Sequence, residues 1–183
     1  MATHPNIPKQ ADYAILIERH KVLAFNIARK ITRNEQDAEE IVQDAFVKAF
    51  GAYSGFKKES RFSTWFYRIV YNTAISSIRQ KRVKTVEIDA NLTETLPSEQ
   101  IAGTYTRLEH ADRKRLISES LKALNELDYT ILCLYYYEEL SLKEISRIVD
   151  KKPDYLKVLL QRARTKLYIS LSASIKHELK ELT

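Results

Sequence analysis

The chain has 183 residues, 30 Lys and Arg against 24 Asp and Glu for a net charge of +6, and only 3 Gly and 4 Pro, a composition that favours helix and leaves little turn chemistry for a β-sandwich or barrel. Hydrophobic residues at 44% suffice for a core, and the single cysteine, Cys133, excludes a disulfide scaffold or a multi-cysteine zinc site. The longest apolar run, residues 131–137, falls far short of the ~20 residues that a membrane span needs. The polar N-terminus (Thr3, His4, Asn6, Lys9, Gln10) does not read as a signal peptide, so the expectation is a soluble, cytoplasmic, mostly helical protein with no membrane insertion.

In chain order, residues 1–83 carry 14 basic and 8 acidic side chains. Over residues 12–31, Ile15, Leu16, Val22, Leu23, Ile27 and Ile31 recur at helical spacing. Asn34 followed by Asp37 offers a break and an acidic helix start. The next segment, DAEEIVQDAFVKAF, places Ala38, Ile41, Val42, Ala45, Phe46 and Ala49 on one stripe. Glu40, Gln43, Asp44 and Lys48 fall outside it, where periodicity alone reads a solvated face with an Asp44–Lys48 pair. Gly51 and Gly55 end that helix.

A third helix follows, with Ser63 or Thr64 as cap and an end near Arg82. Residues 61–85 contain no acid, while Arg61, Arg68, Arg79, Lys81, Arg82 and Lys84 are basic and Phe62, Trp65, Phe66, Tyr67 and Tyr71 interleave with them. Cations for phosphates and rings for unstacked bases suit single-stranded nucleic acid. Pattern alone equally allows core packing of the rings, with Trp65, Ile69 and Asn72 or Thr73 roughly along one face. Residues 84–112, with 2 basic and 6 acidic side chains, Pro97 and Gly103, show no sustained period and read as a flexible acidic linker between two domains.

Residues 113–183 return to 14 basic against 10 acidic side chains. Leu116, Ile117, Leu121 and Leu124 mark one helix; Ile131, Leu134 and Tyr135 mark another. Ser141-Leu142-Lys143-Glu144 fits a capping box before a short helix with Leu142, Ile145, Ile148 and Val149 inward. Asp150-Lys151-Lys152 makes a tight turn and Pro153 opens a longer helix with a Leu156, Leu160, Ala163, Leu167 stripe. Its opposite face holds Lys157, Val158, Gln161, Arg162 and Thr165, the pattern of a helix-turn-helix whose second helix enters the major groove; a plain helical hairpin with a solvated basic face fits the spacing too.

Together the strings DAEEIVQDAFVKAF, FSTWFYRIVYNTAISSIRQKR and LSLKEISRIVDKKPDYLKVLLQRARTKL resemble bacterial RNA polymerase sigma factors of the extracytoplasmic-function type, sigma-70 family. The resemblance implies an all-α fold of two small domains, 1–83 like sigma domain two and 113–183 like the helix-turn-helix domain four, joined by the acidic stretch 84–112. It implies no catalysis and no cofactor, with core RNA polymerase, duplex and melted promoter DNA, and an anti-sigma factor as partners. Glu40, Gln43 and Asp44 match the family's polymerase-binding helix, which replaces the solvated-face reading for those three. Residues 56–64, including Phe56, Arg61, Phe62 and Ser63, match its minus-ten loop; Trp65 and Asn72 fall with that site. Arg68, Arg79, Lys81 and Arg82 match positions near promoter phosphates. Lys151 and Lys152 at the turn, with Lys157, Val158, Gln161 and Arg162 on the second helix, match the minus-thirty-five reader. The family often has Gly-Thr-Val before Arg-Ser-Arg here; Val158 and Leu159 replace the Ser and second Arg, leaving fewer polar groups toward DNA.

Two other classes are weaker. A helix-turn-helix regulator acting without polymerase accounts for residues 141–168 but not for the acid-free aromatic helix. A nuclease lacks a Gly-rich phosphate loop; His4, His20, His110 and His177 are scattered, and the Asp37, Glu40, Asp44 row lies on one helix.

Overall fold

The computed structural model describes residues 10–56, 59–85 and 107–181, and within them every regular element is helical. The elements are α1 (Gln10–Thr32), α2 (Glu35–Ala52), a 3-10 turn (Tyr53–Gly55), α3 (Phe62–Thr85), α4 (Arg107–Lys122), α5 (Glu126–Tyr136), α6 (Leu142–Val149) and α7 (Pro153–Glu181). Residues 84–112 are therefore not all tether: α3 continues to Thr85 and α4 begins at Arg107, while most of the expected linker lies outside the described residues.

Local chemistry sets several boundaries. The Asn34 side chain accepts from the Asp37 N–H, which caps α2, and Glu35 and Asp37 lie in its first turn, where carboxylates favour the helix dipole. Its buried set is Ala38, Ile41, Val42, Ala45, Phe46 and Ala49, the stripe expected from spacing. Ser141 and Glu144 complete a reciprocal capping box at α6. Asp150 takes the left-handed conformation (φ 53°) that closes α6, and Pro153 starts α7.

Four expectations are corrected. In α1, Ile15 and Val22 face solvent; the inward positions are Tyr13, His20, Ala24, Ile27, Ala28 and Ile31. A buried histidine and two alanines occupy sites that an apolar-only stripe overlooks. In α3 the buried face is Phe66, Tyr67, Val70 and Ala74, with Trp65 and Ile69 half-buried and Asn72 exposed, roughly a one-residue rotation from the pattern-based face. Ser63 and Thr64 do not cap this helix: the Trp65 N–H already bonds the Arg61 carbonyl, so both lie inside the first turn. Lys48 reaches Thr73 Oγ1 at 3.4 Å, so it ties α2 to α3 rather than pairing with Asp44.

Helices α1, α2 and α3 pack against one another, and α4, α5, α6 and α7 form the second group. The groups also meet: α6 lies on α3 and α5 on α1. One apolar cluster runs through both, from Ile27, Phe46 and Phe66 to Leu134, Leu140, Ile145 and Leu159. A smaller one joins Leu124, Leu132 and Ala163. Among the described residues no helix is long and apolar enough to cross a membrane.

Candidate functional site

Three surfaces collect the residues singled out in the sequence. On α2, Glu40, Gln43 and Asp44 are exposed because Ile41, Val42 and Ala45 turn the other way into the core. Val47 continues this face at i+3 from Asp44 and is 71% exposed. Sequence reasoning passed over it, although its absence from the buried stripe was the available signal. Asp37, on the first turn, pairs with Lys81 of α3 instead of joining an acidic row. No group of three His, Cys, Asp or Glu side chains among the described residues could hold a metal ion.

The second surface forms where the 3-10 turn meets the start of α3. Phe56, Phe62 and Trp65 are half-buried and in ring contact: Phe56–Trp65 centroids lie 4.9 Å apart and Phe62–Trp65 5.7 Å. Tyr53, which the sequence reading left out, joins them at 6.1 Å from both Phe56 and Phe62. Behind them Phe62 stacks on buried Phe66 (5.7 Å, 5° between planes), and Phe66 stacks on Phe46 at 4.5 Å. The rings thus grade from core to surface, so neither the all-core nor the all-platform interpretation holds for every ring. Arg61 is exposed at the edge of this cluster and Ser63 is half-buried. Arg68, Asn72 and Arg79, at i, i+4 and i+11, share an exposed stripe along α3. Lys81 is exposed and held by Asp37; the Arg82 side chain lies outside the described residues. Half-exposed rings beside exposed cations can stack bases and hold phosphates.

The third surface is the helix-turn-helix of α6 and α7. Lys151, Lys152, Lys157, Val158, Gln161 and Arg162 are all exposed, while Leu156, Leu159, Leu160 and Ala163 are buried. Leu159 therefore belongs to the core and Val158, 64% exposed, to the outer face. Arg162 is engaged on one side: Nη2 donates to Asp128 Oδ1 at 3.1 Å, and Lys166 Nζ donates to Asp128 Oδ2 at 2.8 Å. Asp128 is wholly buried in the first turn of α5, and its own backbone N–H is capped by Asn125. Local spacing shows the Asn125–Asp128 cap but not the pairing with α7, whose partners lie 34 and 38 residues downstream.

Both groups of helices have counterparts among known proteins. Residues 16–83 match the family Sigma-70 region 2, and residues 114–167 match Sigma-70, region 4. The ECF RNA polymerase sigma factor SigW of Bacillus subtilis (strain 168) is 30% identical over 165 residues, covering 86% of this chain and 88% of that protein. The ECF RNA polymerase sigma-E factor of Escherichia coli (strain K12) is 27% identical over 163 residues, 85% of this chain and 84% of the relative. Among solved structures, the sigma factor RpoE from Bartonella quintana, in complex with the anti-sigma factor NepR, superposes with a TM-score of 0.71 over 88% of this chain and 97% of that one. At 19% identity that likeness shows a shared fold.

Proposed function

Because the chain belongs to the extracytoplasmic-function group of the sigma-70 family, and is thus an alternative sigma factor directing transcription initiation, we propose that its three exposed surfaces divide that task. Glu40, Gln43 and Asp44, with Val47 beside them, bind core RNA polymerase. Phe56, Arg61, Phe62, Ser63, Trp65 and Asn72 hold unpaired bases of the minus-ten element, and Arg68, Arg79, Lys81 and Arg82 grip the adjoining phosphates. Lys151, Lys152, Lys157, Val158, Gln161 and Arg162 read the minus-thirty-five element as duplex. Residues 1–83 and 113–183 act as the two working domains. The contribution is binding energy: bases trapped as the duplex opens stabilise the open strand, each stacked base being worth about 1–3 kcal/mol.

The single observation that carries this assignment is the half-exposed ring cluster at the start of α3, set beside exposed Arg61, Arg68 and Asn72 on a helix with no acid. A duplex-only regulator has no use for such a surface. Reconstitution with core RNA polymerase, followed by mapping of transcript starts, tests it. A stable complex and starts downstream of a shared pair of sequence elements are expected. Equal binding of single-stranded and duplex minus-ten probes would overturn the base-trapping role.

A further inference from the structure

The outward face of α7 has an apolar centre that its polar residues do not account for. At about 100° per residue, Val158 lies within about 40° of the direction opposite each of Leu156, Leu160, Ala163 and Leu167, which pack inward. Lys157 and Gln161 flank it on one side, Tyr155 and Arg162 on the other, and all four are exposed. A lone exposed valine is ordinary on a protein surface. Val158, 64% exposed, instead stands on the ridge of the helix that the minus-thirty-five assignment places in a major groove, where the central residue reaches deepest.

Two neighbours leave that ridge to it. Arg162 Nη2 donates to Asp128 Oδ1 at 3.1 Å, which draws the guanidinium back toward α5. Thr165 Oγ1 donates to the Gln161 carbonyl at 3.2 Å, so its hydroxyl turns to the helix backbone rather than outward. Along the ridge the chemistry then changes from turn to turn. The Asp154 carboxylate only accepts hydrogen bonds, the Gln161 amide both donates and accepts, and Val158 between them does neither. Guanine, cytosine and adenine edges offer such a side chain only polar groups, which it would strip of water without replacing the lost bonds. Thymine alone adds a C5-methyl group.

We propose that Val158 is a specificity residue that reads the C5-methyl of one thymine in the minus-thirty-five element. The proposal rests on the promoter assignment made above and adds the base that this position selects. Gln161 lies three residues on, about 4.5 Å along the helix axis, and base pairs stack about 3.4 Å apart. The thymine therefore falls within about two base pairs of the pair that Gln161 reads.

The test uses holoenzyme formed from the full chain and core RNA polymerase, on a promoter fragment mapped by its transcript starts. Each thymine of the minus-thirty-five element, on either strand, is replaced in turn by deoxyuridine, which removes the methyl and keeps every hydrogen-bonding group. The parent should lose affinity roughly fourfold at one position, the effect of one buried methyl group, and little elsewhere. Val158→Ala, which puts a stronger helix former at an exposed site, should bind thymine and deoxyuridine there equally. Replacing that T·A pair by C·G should weaken the parent further, and 5-methylcytosine in place of the cytosine should restore about fourfold, because its methyl occupies the same C5 position. Val158→Ala should not distinguish the two cytosines. A minus-thirty-five element without thymine, parental tolerance of deoxyuridine at every position, a methyl dependence that survives in Val158→Ala, or a sensitive thymine more than two base pairs from the pair relaxed by Gln161→Ala would each overturn the proposal. Failure of the promoter assignment looks different and would take this proposal with it: the holoenzyme would then give no promoter-specific starts.

Discussion

Asp128 has no exposed surface, yet the two cations it holds, Arg162 and Lys166, keep about half of their side chains in water. Removing the carboxylate therefore strands no buried cation and leaves the α5 cap on the backbone N–H intact, so the cost is that of the lost charge-assisted bonds and of the Asn125 Nδ2 donation: Asp128→Ala should lower stability by about 2 kcal/mol in denaturant titration. The same pairing refines the roles on α7. Arg162 spends one arm on Asp128, so Arg162→Ala should weaken both the fold and minus-thirty-five binding. Gln161→Ala should spare the fold and relax preference at one base, whereas Lys152→Ala should weaken all sequences alike and flatten the salt dependence, as binding isotherms at several salt concentrations would show. On α3, Asn72 is exposed and outside the core. Asn72→Ala is expected to reduce open-complex formation, read by permanganate footprinting, with polymerase affinity unchanged. The exposed rank of Asn72 was not legible from spacing, which placed it near Trp65 and Ile69 on an inward face.

Where a helix is shaped by its own sequence, the elements were legible: the α2 stripe, the Asn34 cap, the Ser141–Glu144 box and Pro153 all depend on residues a few positions apart. Ser141→Ala removes the hydroxyl that accepts from the Glu144 N–H and donates to its carboxylate, leaving only the backbone half of that box, and should cost about 1 kcal/mol, seen as a lower melting temperature. Helices α1 and α3 were less legible because long-range partners choose their inward faces. His20 is buried by Tyr67 and Glu138, and Thr64 by its approach to Glu144 of α6, none of which a local period encodes. The candidate surfaces follow the same division. Those on α2 and α7 are the far sides of clean stripes; the ring cluster on α3 needs the 3-10 turn to bring Tyr53 and Phe56 to Phe62 and Trp65. For α2 the expectation is that charge reversal at Asp44 weakens the core polymerase complex more than Gln43→Ala does, with helicity by circular dichroism unchanged in both, because a like charge repels a basic partner.

Across the whole molecule, the contact between the two helical groups is linked to protons. Glu138 and Glu144 both titrate below their usual 4.5: burial opposes this, but His20, Tyr67 and Arg19 around the first, and Ser141, Arg61 and Thr64 around the second, prevail. Ser141 lies in the same half as Glu144, so it is chiefly ionised Glu138, all of whose lowering partners lie in α1 and α3, that favours contact between the two helical groups above pH 4.5, and that support is lost as the pH falls through the lowered value. Small-angle scattering from pH 7 to 3 should show the radius rising in that lower window, with Glu138→Gln damping the change. The apolar cluster shared by both halves carries a calorimetric consequence. A chain whose two lobes have one core cannot melt them separately, so the free protein should show a single heat-absorption peak whose van't Hoff and calorimetric enthalpies agree. A substitution that breaks this contact, such as Glu138→Lys opposite Tyr67 and His20, should divide that peak into two smaller ones, each with the enthalpy of a domain of its own size.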